Sequence, residues 1–323
     1  MIKVRLPGAF SKRLLSQLSR NAGRALTVLW ARHISRLPMK SQYFLLNTIV
    51  NLIGPVVPRV RITAYQQLRR SFPEKSPKEC RRLALLSVRN AAKTMLEVLN
   101  SFRWTEEELE KSVTIEGIEH LDAALAKGKG VLLLTAHYGN WELMGARLVQ
   151  KGYPLAAIAK KLHDPLIELF GMATRSRNGL QVIPMSSPLK AFRALKQNMV
   201  LAILMDQNAG RRGIFVPFLW REASTFTGPA TFAIKSGAVV VPAFVERDAS
   251  DRHIGHILPP IEIVRTGDLQ RDIYDNTLAF TKAIEDQIRR HPEEWFWVHR
   301  RWKTDPKSAP DGMKQAPPDC PAS

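Results

Sequence analysis

Hydrophobic residues recur along this chain with two different periods, and the change of period divides it. Between residues 8 and 32, Phe10, Leu14, Leu18, Ala25 or Leu26 and Leu29 fall at spacings of three, four or near multiples, while Lys12, Arg13, Arg20 and Arg24 lie mostly on other faces. That spacing predicts an amphipathic helix with a basic side. A second apolar run, Tyr43–Val57, is interrupted by Asn47, Asn51 and Pro55. It falls short of the roughly 20 apolar residues that span a bilayer, so it predicts a surface-lying or half-inserted segment. From Pro77 to about Phe102, Leu83, Leu86, Val88, Met95, Leu96 and Leu99 predict a further helix.

Beyond that helix the pattern shortens. Val131–Thr135 is a fully apolar run of strand length, and Leu155–Ala159, Leu180–Pro184, Val200–Met205 and Val239–Val245 repeat the theme. Helical stretches follow Val131–Thr135 through Gln150 and stand around 164–177, 188–197 and 229–236. Alternation of buried strands and helices predicts an α/β domain with a largely parallel sheet. An amphipathic helix over about 272–290 precedes the aromatic segment Trp295–Trp302, and from Asp305 a proline-rich tail has little to bury and is expected to be disordered. The organisation read from these shifts is a basic amphipathic segment over 1–73, a catalytic-sized domain over 74–304 and a tail over 305–323.

Composition sharpens this picture at two points. Two cysteines, Cys80 and Cys320, are too few and too far apart for a disulfide framework or a thiolate metal site. The formal charge is +19, and thirteen Lys and Arg precede the first acidic residue, Glu74. An acid-free basic segment mixed with Leu, Phe and Trp30 suits an anionic lipid surface, where each Lys or Arg contributes about 1 kcal/mol. A core-packing helix or a cleaved presequence is the alternative, but the acid-free stretch runs beyond presequence length. No aromatic platform or recognised module supports nucleic acid as the partner.

The candidate chemistry lies where Val131–Thr135 ends: Ala136-His-Tyr-Gly-Asn-Trp-Glu142. Catalytic groups of α/β proteins gather at the carboxyl ends of strands. On one continuous helix His137 and Glu142 would point roughly 140° apart, at about 100° per residue. They can meet only if His137 precedes the helix and the chain turns at Gly139. Glu142 would then hold the imidazole in one tautomer, and His137 would take a proton from a hydroxyl. The alternative is a strand-end histidine beside a helix whose first turn favours Glu142; spacing alone does not separate the two. No nucleophile elbow, Walker loop or dinucleotide-binding glycine motif is present, and His253 with His256 lacks companions for a metal site.

Several motifs occur in a fixed order: His137-Tyr-Gly-Asn-Trp-Glu142, Asp206-Gln-Asn-Ala-Gly210, Thr225-Phe-Thr-Gly-Pro229, Lys235-Ser-Gly-Ala-Val-Val-Val-Pro242 and Pro292-Glu-Glu-Trp-Phe-Trp-Val-His-Arg-Arg-Trp-Lys303. In these the chain resembles the late (secondary) acyltransferases of lipid A biosynthesis, within the glycerolipid acyltransferase superfamily, from about Arg69 to Pro306. The resemblance implies a glycerolipid-acyltransferase-like α/β domain with N-terminal membrane-associated helices, at the cytoplasmic face of a bacterial inner membrane. It implies transfer of an acyl group from acyl carrier protein, or acyl-CoA, to a hydroxyl of a lipid acceptor, without a cofactor or a metal. His137 matches the general base and Glu142 its acidic partner, Arg175 and Arg177 are candidates for the developing oxyanion, and Asp206 matches an acidic position near the site. Arg211, Arg212, Arg300, Arg301 and Lys303 are candidates to hold the acidic carrier or a phosphorylated acceptor. The alternative for the Arg300–Lys303 edge is a membrane-facing strip with Trp295, Trp297 and Trp302 as interface anchors. A lysophospholipid or other glycolipid would suit the same chemistry, and a non-catalytic protein binding acidic lipid is the reading from another class. Oligomeric state, acyl chain length and the acylated position have no sequence signal here.

Overall fold

Strands buried on both faces must be covered from both sides, and the sheet of this protein is built that way. The computed structural model describes residues 33–53, 58–101, 103–160, 175 and 179–306. Four helices come first: α1 (Met39–Ile53), α2 (Pro58–Ser71), α3 (Pro77–Ser101) and α4 (Glu106–Ser112). Then follow β1 (Val113–Glu116), α5 (Ile118–Leu125), β2 (Val131–Thr135), α6 (Trp141–Gln150), β3 (Leu155–Ala159), β4 (Gln181–Pro184), α7 (Pro188–Lys196) and β5 (Val200–Leu204). The chain continues through the hairpin β6 (Ile214–Phe218) and β7 (Arg221–Thr225), then α8 (Gly228–Ser236), β8 (Val239–Arg247), β9 (His253–Ile257) and α9 (Leu269–Arg290).

Seven strands form one sheet in the order β1-β9-β8-β2-β5-β3-β4, antiparallel only between β8 and β9. Alternation along the central strands sorts their side chains into two cores. Leu132, Leu134, Leu201, Ile203 and Val240 face a layer that includes Leu68 of α2, Ala84 of α3, Leu195 of α7, Ala233 of α8 and Phe280 and Ile284 of α9. Val131, Leu133, Val200, Ala202 and Val241 face the other side, against Leu121 of α5 and Met144 and Leu148 of α6. Each fully buried Leu or Val contributes about 1.5–3 kcal/mol, so this period-two pattern holds sheet and helices together.

The strands expected at Val131–Thr135 and Leu155–Ala159 are found with those ends, and three others differ by one or two residues. Strands β1, β6, β7 and β9 were not legible. The β6–β7 hairpin turns at Leu219 and Trp220, both at positive φ (49° and 67°), without the Asn or Gly that announces such a turn. Tertiary contacts hold it instead: the Glu285 carboxylate accepts the Leu219 N–H at 2.8 Å, and the Arg289 guanidinium lies 4.8 Å from the Trp220 ring centre. The helices expected over 8–32 and around 164–177, and the tail beyond Pro306, lie outside the described residues.

No helix among the described residues is long and apolar enough to cross a membrane. Ala64, Leu68 and Phe72 of the segment before residue 73 belong to the principal core. Helix α1 docks through Gln42, whose amide exchanges hydrogen bonds with Asn100 of α3, and through the Tyr43 hydroxyl on Glu97.

Glu97 is fully buried and ties five elements together. It takes the Asn140 amide at 2.7 Å, the His253 imidazole at 3.1 Å, the Tyr43 hydroxyl and both Nη atoms of Arg247. Burial opposes its ionisation, but His253 and then Arg247 outweigh this and hold its carboxyl well below the ordinary range. Removing one partner of a buried pair strands the other charge, so Glu97→Ala should lower the unfolding free energy by about 3–5 kcal/mol. A urea denaturation series measures this, and an unchanged midpoint would refute the assignment.

Candidate active site

Parallel pairing of β2 with β5 sets Thr135 opposite Leu204. Two residues beyond each strand end stand His137 and Asp206, and the register alone puts them side by side. The imidazole Nδ1 lies 2.8 Å from Asp206 Oδ1, while the His137 backbone N–H donates to Oδ2 at 3.1 Å. The Trp295 indole N–H donates to the same Oδ2 at 2.8 Å. Burial of the Asp206 carboxyl works against ionisation, but the His137 ring, the Trp295 indole and the His137 backbone together hold it below the ordinary carboxylate range. An ionised Asp206 assigns the proton to Nδ1 and leaves Nε2 as the basic nitrogen. Nε2 stands 3.2 Å from the side-chain nitrogen of Gln207, and the His137 side chain is 23% exposed.

The turn that presents His137 requires glycine. Gly139 has φ +58°, and a Cβ there would come within 1.9 Å of the Val245 carbonyl oxygen. A strap from the far end of the chain closes over this turn: Gly139 N–H donates to Glu294 O at 3.0 Å and Phe296 N–H to His137 O at 3.0 Å. Asn140 then caps α6, accepting the Leu143 N–H at 3.1 Å, while its amide reaches Glu97. Gln67 of α2 holds the strap from behind, donating to the carbonyls of Trp297 and His299 and accepting the Arg301 N–H.

Here the geometry corrects the expectation that Glu142 holds the imidazole. Because α6 begins at Trp141, it is the Trp141 ring that packs edge-on against His137, with centres 4.9 Å apart. Glu142 is engaged by Arg175 instead, through Nε at 3.0 Å and a second bond from Nη2. Arg175 and Glu142 thus form one unit and His137 and Asp206 another. Arg177 lies outside the described residues. Arg300 and Lys303 are exposed on the segment that docks against the Asp206 loop, where Asn208 N–H donates to His299 Nε2 at 3.1 Å and the Asn208 amide donates to Thr304 at 3.0 Å. Arg211 and Arg212 are exposed just downstream of that loop.

Two further expectations are corrected. Arg301 is 1% exposed, bonded to Ser224 O and Thr225 Oγ1, with its guanidinium pushed by burial down to about 10, so it braces the strap and is closed to an incoming anion. Trp295 and Trp297 are buried in an aromatic cluster with Phe72 and Phe218, which rules them out as interface anchors. Sequence reasoning missed Trp295, Gln207 and Asn140 as neighbours of the site. All three stood inside motifs already singled out, but their contacts depend on a register that spacing does not carry. Among the described residues no group of three His, Cys, Asp or Glu is arranged to hold a metal ion.

Glu294, whose backbone carbonyl holds the Gly139 N–H, is itself a partly buried acid. Burial is the main cause that pushes its carboxyl up to about 7; Arg247 opposes this, and Glu293, Glu246 and Glu97 reinforce it. The native protein therefore keeps a proton that an unfolded chain releases near pH 4.5, so stability should fall as pH rises from about 4.5 to about 7. The expected loss is on the order of 3 kcal/mol. Glu294→Gln should flatten that slope in denaturation curves taken between pH 5 and 8, whereas an identical slope in both proteins would contradict it.

Residues 10–304 match the family model described as bacterial lipid A biosynthesis acyltransferase. The chain is similar to the lipid A biosynthesis palmitoleoyltransferase of Escherichia coli, at 28% identity over 286 residues, covering 87% of this chain and 90% of that one. It is similar also to the lipid A biosynthesis lauroyltransferase of the same organism, at 27% identity over 76% of this chain and 80% of that one. A phosphatidylinositol mannoside acyltransferase of Mycobacterium tuberculosis is 28% identical over 59% of this chain and 60% of its own. With the family model spanning nearly the whole described body, this chain is an acyltransferase and belongs to the bacterial lipid A biosynthesis acyltransferase family.

Proposed function

We propose that the protein moves a fatty acyl group from a thioester, carried on acyl carrier protein or coenzyme A, to a hydroxyl of a lipid A precursor, with His137 as general base. The observation that carries this reading is the 2.8 Å contact between His137 Nδ1 and a buried Asp206 that is braced by Trp295. With Nδ1 committed, Nε2 accepts the proton of the acceptor hydroxyl as its oxygen attacks the thioester carbonyl. The carbon–sulfur bond then breaks, and the imidazolium returns the proton to the leaving thiolate. No acyl-enzyme is formed. Proton transfer through His137, with Asp206 stabilising the imidazolium, contributes about 10²–10⁴ in rate. Glu142 acts at one remove by fixing Arg175, and Arg175 with the exposed Arg211, Arg212, Arg300 and Lys303 supplies positive charge for phosphate groups of the acceptor or for an acidic carrier.

The family match favours a lipid A precursor as acceptor. The relatives named for phosphatidylinositol mannoside favour a second reading, a glycolipid outside lipid A assembly. A transfer assay with labelled acyl carrier protein, offering a tetra-acylated lipid A precursor, a lysophospholipid and a mannosylated phosphatidylinositol, separates them. His137→Ala should abolish transfer and Asp206→Asn should reduce it about 10²–10⁴-fold; undiminished transfer by His137→Ala would remove His137 as the base.

Attachment to an anionic bilayer at the cytoplasmic face of the inner membrane fits an exposed apolar face on α1 and α2, which lie among described residues that hold no helix long and apolar enough to span. Phe44 and Leu52 of α1 are 70% and 71% exposed, Ile62 of α2 is 47% exposed, and Arg59 and Arg61 precede it on the same helix. Such a face enters the headgroup boundary while its basic residues meet acidic lipid. The double change Phe44→Ser and Leu52→Ser should weaken co-sedimentation with anionic vesicles by about tenfold or more, given about 1.5–3 kcal/mol for each fully buried large side chain. Unchanged partition would place the membrane contact elsewhere.

A further inference from the structure

The mechanism above leaves one demand unmet: a hydrogen-bond donor for the oxygen that becomes negative as the thioester carbonyl is attacked. Arg175 commits Nε and Nη2 to Glu142. One side-chain donor among the described residues touches the reactive nitrogen directly. The Gln207 amide nitrogen stands 3.2 Å from His137 Nε2, on the loop that also carries Asp206. We propose that Gln207 is a catalytic residue: its amide holds the place of the acceptor hydroxyl in the resting site and, once displaced, donates to the thioester oxyanion.

The proton on Nδ1 decides what can stand opposite Nε2. Nδ1 gives its hydrogen to Asp206, so Nε2 has only a lone pair to offer, and the group opposite it must be a donor. An acceptor hydroxyl that gives its proton to His137 must occupy the same direction, within about 2.6–3.2 Å of Nε2. The incoming hydroxyl therefore exchanges with the Gln207 N–H. The freed amide remains about one hydrogen-bond length from the point of attack, which is where the carbonyl oxygen gains charge. Its backbone is fixed on both sides, by Asp206 in its three hydrogen bonds and by Asn208 N–H on His299, so only the side chain need move. The atoms balance without any further reagent: the O–H proton passes to Nε2, the new C–O bond forms, C–S breaks, and the proton returns to sulfur. Gln207 supplies hydrogen bonds alone and neither gains nor loses a proton.

The inference rests on the base reading of His137, and the test separates the two. Full-length wild type, His137→Ala, Gln207→Ala and Gln207→Glu are compared for acyl transfer and for slow thioester hydrolysis by water, with thermal unfolding as the folding control. Gln207→Glu keeps the size of the side chain and removes the donor. Both Gln207 variants should lose about 10²–10³-fold in kcat, as expected for a missing oxyanion donor, while KM for the thioester changes by less than about threefold. Should Gln207→Ala be poorly folded, the glutamate variant carries the comparison. Near wild-type kcat in the Gln207 variants with an inactive His137→Ala would overturn the role of Gln207 alone. A loss confined to KM would overturn it too, since it would mark a group that binds ground state and transition state equally. Activity retained in every variant would overturn both readings.

Discussion

The pairing of β2 with β5 is the constraint on which the site depends. Thr135 opposite Leu204 makes His137 and Asp206 neighbours, and a slip of one residue would flip one strand's side chains to the opposite face and part the pair. The register is in turn enforced by burial, because Leu132, Leu134, Leu201 and Ile203 fill one core while Val131, Leu133, Val200 and Ala202 fill the other. A strand buried on both faces has no tolerance for slippage. The chemistry is thus positioned by the same apolar alternation that stabilises the sheet.

Buried polar groups complete what the sheet begins. The Pro292–Lys303 strap crosses the domain to place the Trp295 indole on Asp206 and two backbone groups on the His137 turn. Gln67 and Arg301 fasten it, and Glu97 connects the cap of α6 to β8, β9, α3 and α1. Each of these groups is costly to bury alone and acceptable only with all partners in place. That dependence gives the turn at Gly139 a single conformation and fixes where the His137 ring stands.

The division of acidic residues follows from where the helix starts. Had α6 begun later, Glu142 would have had room to turn back on the imidazole. Asn140 caps the helix at once, so Trp141 packs edge-on against His137 and Glu142 goes to Arg175. One carboxylate meets the His137 imidazole and the other the Arg175 guanidinium, and both lie at the same carboxyl edge of the sheet.

From the sequence alone came the α/β class, the five apolar strands and the helices after Val131–Thr135 and around 188–197 and 229–236, since period and strand length are local properties of a chain. The ordered motifs likewise carried the family. Short strands such as β1 and β9 escaped because their residues are mixed in polarity, and β6–β7 escaped because Glu285 and Arg289, far along the chain, hold a turn that its own residues do not favour. Which carboxylate meets His137 was a tertiary decision. Glu142 is five residues away in sequence and Asp206 is sixty-nine, yet the nearer one is carried off by helix geometry while strand pairing delivers the distant one. Sequence proximity constrains side chains only within a turn or two of helix, whereas register and burial act across the whole fold.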